Sequence, residues 1–183
     1  MPSTPANPVL VLIPSEVGAL DYKALYTIAT AYAHSGLLIS SHGEQTDRPE
    51  FSFPAIVCSS FAIELFMKFF LIFDKAGKDS ADQKRVTGHI LVELWSKIKP
   101  EHQRLIAGMF RNSTGTPLLN ASDRRIVFFE EALTSIGKAP FLNWRYVHEL
   151  SNSTIMSHGS ITEVLDALGH AAEYIMQQSV NTA

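Results

Sequence analysis

Apolar residues recur at intervals of three and four along most of the chain, the spacing that turns one face of a helix inward. No stretch alternates apolar with polar for more than a few residues, so strands are not expected. From about Ser15, the positions Leu25, Ile28, Ala29, Tyr32 and Gly36 predict a first helix with these residues inward. Residues 41–53 are polar and contain Gly43, Asp47 and Pro49, which predicts a loop. Pro54 then suits the first turn of a second helix reaching about Lys75, because a proline there gives up an amide that has no helical partner anyway. That segment is apolar on nearly all sides, with Phe61, Ile63, Leu65, Phe66, Phe69, Phe70, Leu71 and Phe73. Such a helix must be surrounded by others.

Beyond an expected loop at 77–85, Thr87 is placed to cap a third helix carrying Leu91, Leu94, Trp95 and Ile98. Lys99-Pro100 interrupts the pattern, and a fourth helix follows over roughly Glu101 to Phe110. After a Gly- and Pro-containing loop at 111–121, Ser122-Asp123 opens a fifth helix. It turns Ile126, Phe129, Leu133 and Ile136 inward and stops at Gly137. Ser160 and Glu163 have capping-box spacing ahead of Val164, Leu165, Leu168, Ala172 and Ile175. Four prolines between residues 1 and 14 keep that stretch an extended arm. The pattern predicts an all-α, antiparallel bundle of five or six helices over residues 15–183.

Composition narrows this picture. A length of 183 residues suits one domain, and 46% hydrophobic against 18% charged residues leaves apolar surface for a partner, so a homodimer is expected. Eighteen acidic against fifteen basic residues give a net charge of −3, which supplies no general field for phosphate backbones. Any RNA contact must be local. The lone Cys58 lies in an apolar stretch and suits a reducing, cytoplasmic compartment. The apolar run Val9 to Ile13 lacks the basic flank of a secretion signal. Phe61 to Phe73 carries Glu64 and Lys68 and falls short of the about 20 apolar residues of a bilayer span, so no membrane contact is expected.

Three groups of residues carry candidate chemistry. Glu64 and Lys68 lie four apart on the apolar second helix, in the orientation that favours an ion pair. They either satisfy each other in the core or anchor a polar pocket. Gly88-His89 precedes Leu91, where an imidazole can bridge two helices, meet a carboxylate such as Glu64, or transfer a proton. Trp144-Arg145-Tyr146-Val147-His148-Glu149 is the densest polar and aromatic cluster. An Arg there can grip a phosphate and a His can act as general acid or base; the same residues can instead tie a loop to the core. The histidines show no helical metal-ligand spacing, and no phosphate-loop, dinucleotide or serine-elbow motif is present, so neither a metal nor a cofactor is expected.

Three motifs in order, A-x-E-x-x-x-K at Ala62–Lys68, G-H-x-L-x-x-L at Gly88–Leu94 and R-Y-x-x-E at Arg145–Glu149, resemble bacterial HEPN-like domains. The resemblance implies an all-α, often dimeric bundle, found among RNA-cutting toxins, phage-defence effectors such as abortive-infection proteins, and non-catalytic relatives. It implies Arg145 and His148 as the catalytic pair of a metal-independent endoribonuclease, although active members place four to six residues between Arg and His and this chain places two. The alternative it leaves open is a non-catalytic interaction module. Glu64, Lys68, His89, Tyr146 and Glu149, with Arg145, would then form a structural polar network.

Overall fold

The computed structural model describes residues 21–74, 86–111, 123–145 and 158–181. Every regular element among them is helical. In chain order these are α1 (Tyr22–Thr46), a 3₁₀ turn (Pro49–Phe51), α2 (Ser52–Phe73), α3 (Leu91–Trp95), α4 (Pro100–Met109), α5 (Asp123–Ser135), α6 (Pro140–Arg145) and α7 (His158–Asn181). Five helices have ten or more residues, and α3 and α6 are short connecting turns. The proline arm and the loops at 77–85 and 112–121 lie outside the described residues.

α2 is the hub, as its unbroken apolar surface requires: it packs against α1, α3, α6 and α7. Ile63, Met67, Phe69 and Phe70 are sealed from solvent on it. Around them lie Leu91, Leu94, Ile106, Phe129, Leu133 and Leu168 from the other helices. Rings lock the layers edge to face, as where Tyr22 meets Phe73 at 5.2 Å and Phe110 meets Phe129 at 5.4 Å. Pro49–Phe73 is long and apolar enough to cross a membrane by length and composition, longer than the sequence pattern indicated. Two-thirds of its most apolar 18 residues are nevertheless buried inside the fold, as expected of a core helix.

Several boundaries differ from expectation. α1 runs on through the polar stretch 41–46, because Gly43 lies against Phe51 where an added Cβ would come within 2.9 Å of the Phe51 Cβ. Its end is set by Asp47 in the left-handed conformation (φ 52°), with Arg48 N–H donating to Gly43 O at 2.9 Å. Ala29 and Gly36 are buried on α1, while Ile28 and Tyr32, expected inward, are more than a third exposed. Thr87 does not cap α3. That helix starts only at Leu91, whose N–H donates to Lys138 O at 2.8 Å, and residues 86–90 form a non-helical strap ahead of it. Ser160 lies within α7 rather than before it, and Glu163 accepts from Arg111 Nε at 2.9 Å instead of closing a capping box.

Candidate functional site

Glu64 is the deepest charged group among the described residues, at 1% exposure, with the sealed Ile63 and Leu65 on either side of it on α2. A carboxylate there is tolerated only with partners, and it has two. One turn on, the Lys68 ammonium donates to Oε1 at 2.7 Å. From the strap, His89 Nδ1 lies 2.9 Å from Oε1 and 3.1 Å from Oε2. An ionised carboxylate has no hydrogen to give, so Nδ1 carries the proton and donates it across both oxygens. In the neutral ring Nε2 is then the basic nitrogen.

The strap aims this ring. Gly88 has φ +104°, a backbone conformation that costs a side-chain-bearing residue strain, yet an added Cβ would meet nothing within 4 Å. Glycine is thus required there for conformation and not for space. The bonds from Leu91 N–H to Lys138 O and from Leu94 N–H to Ile90 O fix the strap's far end. Exposure grades across the cluster: the side chain of Glu64 is 2% exposed, that of Lys68 15% and that of His89 50%. A buried anion therefore orients a half-open imidazole, an arrangement suited both to holding helices in register and to passing a proton at Nε2.

Of the residues singled out in the sequence, Glu64, Lys68 and His89 are brought together. Arg145 ends α6, which packs on α2 with Phe141 stacked on Phe61 at 4.4 Å. The Arg145 side chain and residues Tyr146, His148 and Glu149 lie outside the described residues. Among the described residues no group of three or more His, Cys, Asp or Glu side chains could hold a metal ion.

The sequence reading missed a second acid–base cluster at the end of α2. Asp74, 8% exposed at its side chain, lies 3.0 Å from His102 Nδ1 and 3.2 Å from Lys99 Nζ. Both contacts are close in distance but fall outside ideal hydrogen-bond angles. Burial pushes the Asp74 carboxyl up, but His102 and Lys99 outweigh it and hold it below its ordinary value. His102 also sits beside Phe70 and Phe73, at 5.6 and 5.9 Å. The signal available in the sequence was Pro100, which starts α4 and puts His102 in its first turn.

Compared with protein-family models, curated proteins and solved structures, the chain matches none of them.

Proposed function

We propose that this chain is a HEPN-like, antiparallel helical protein of an RNA-targeting or phage-defence system, acting in the cytoplasm as a homodimer. The observation that carries this reading is the meeting of two motifs: Glu64 of the first, paired with Lys68, contacts His89 of the second, 25 residues on. The third motif begins at Arg145, at the end of a helix packed on α2. In the ribonuclease form of the reading Arg145 grips an RNA phosphate, His148 transfers a proton to allow attack by the neighbouring 2′-hydroxyl, and the Glu64 cluster holds their support in place.

A second reading, the non-catalytic interaction module, is favoured by the occupancy of Glu64: both carboxylate oxygens are taken up by partners inside the fold. The test is cleavage of fluorophore-labelled single-stranded RNA by the purified protein in the presence of EDTA. Cleavage lost on Arg145→Ala and on His148→Ala, with far-ultraviolet dichroism unchanged, supports the ribonuclease. RNA left intact by the folded wild-type protein removes the catalytic form and leaves the module. Tyr32 and Leu38 support the dimer, since α1 leaves them exposed, Leu38 at 70%.

A further inference from the structure

We propose that a cleft between α1 and α7, on the floor formed by α2, is a binding site for a small organic amine with an apolar or aromatic body. This site is independent of the Glu64 cluster and of the reading built on it. Both α1 and α7 lie along α2 but touch each other at few points, and the space left between them has a volume of about 320 Å³. That is room for about ten water molecules, far beyond a packing defect, and at the lower end of the range for small-molecule sites.

The lining selects the class of ligand. Its charged groups are Asp166 and Glu173, two turns apart on α7, with His170 between them and His34 across the cleft on α1. No Lys or Arg lines it, so at neutral pH the cleft presents negative charge and an anion such as a phosphate would be repelled. Burial pushes the Asp166 carboxyl up, while His170 one turn away pulls it the other way. Asp166 and Glu173 are both exposed, so each attracts a cation with the strength of a surface charge.

The walls suit an apolar body behind the cation. Phe66 forms the floor, with Tyr26 edge-on to it at 6.3 Å between ring centroids, and Leu165 and Leu37 flank them. Aromatic faces beside a cation add attraction of their own.

Two variants separate charge from space. Asp166→Asn keeps the volume and removes the charge. Gly169→Leu fills the floor: an added Cβ there sits in ordinary contact 3.9 Å from the Phe66 ring, and leucine favours the helix over glycine. Binding is measured by saturation-transfer NMR and titration calorimetry on the full chain, using phenethylamine, 3-phenylpropionate and 2-phenylethanol as probes. The expected result is that phenethylamine binds more tightly than the other two. Asp166→Asn weakens its binding by about two- to fivefold, the scale of an exposed charge pair. Gly169→Leu abolishes it; should that variant not fold, the Asp166→Asn comparison decides alone. The proposal is overturned if the carboxylate binds as well as the amine, if Asp166→Asn leaves amine affinity unchanged, or if the amine shows no binding at about 10 mM.

Discussion

Removing the Glu64 carboxylate tests the centre of the fold most directly. In Glu64→Ala, Lys68 loses its 2.7 Å partner while its side chain stays 15% exposed, and His89 loses both oxygen contacts. Breaking a buried pair costs about 3–5 kcal/mol, against about 0–1 kcal/mol for an exposed one. Because His89 is half exposed and regains water, and Lys68 is not sealed, the lower end applies: about 3 kcal/mol. With a urea m-value of about 2 kcal/mol/M, the unfolding midpoint falls by about 1.5 M. Glu64→Gln, which keeps the shape and an acceptor for Lys68, loses about half as much. The double variant Glu64→Leu/Lys68→Met, with no charge left behind, returns to within about 1 kcal/mol of the wild type. A midpoint shift below about 0.5 M for Glu64→Ala would refute the reasoning, since the cluster would then be worth no more than a surface pair.

Three further outcomes are expected. Gly88→Ala strains the strap and loosens the His89 contact, costing about 1–2 kcal/mol although no atom is crowded; chemical denaturation reads the loss, and an unchanged midpoint contradicts it. Asp74 has a folded pKa held below its ordinary 3.8, so its contribution is present at neutral pH and lost as pH falls below about 4. Asp74→Asn is therefore less stable than wild type at pH 7, and the gap narrows in urea melts toward pH 3; a pH-independent gap would show that the carboxylate's charge is irrelevant. Leu38→Glu on α1 shifts sedimentation from dimer to monomer at micromolar concentration while leaving the melting temperature of the fold nearly unchanged, and a wild-type monomer under the same conditions rejects the dimer.

The helical class, the hub role of α2 and the Glu64–Lys68 pair were legible in the sequence for the same reason: each depends on residues within a turn or two of one another. An apolar surface on all sides of Phe61–Phe73 has one stable location, and a spacing of four places Glu64 beside Lys68 in any helix. The start and end of helices were less legible, because tertiary contacts decided them. Packing against Phe51 carried α1 through Gly43, and the bond to Lys138 O together with the positive φ of Gly88 delayed α3 to Leu91. Glu163 has the spacing of a cap, but the fold brings Arg111 to it from 52 residues away. Helical periodicity gives the direction in which a side chain leaves its own axis and carries no information about which helix lies opposite. The sequence offered Glu64 as one of several partners for His89, but the choice among them, His102 on Asp74, and the cleft lined by Asp166 and His34 came only from the packing of helices against α2, where burial of the apolar faces fixes which polar groups must meet.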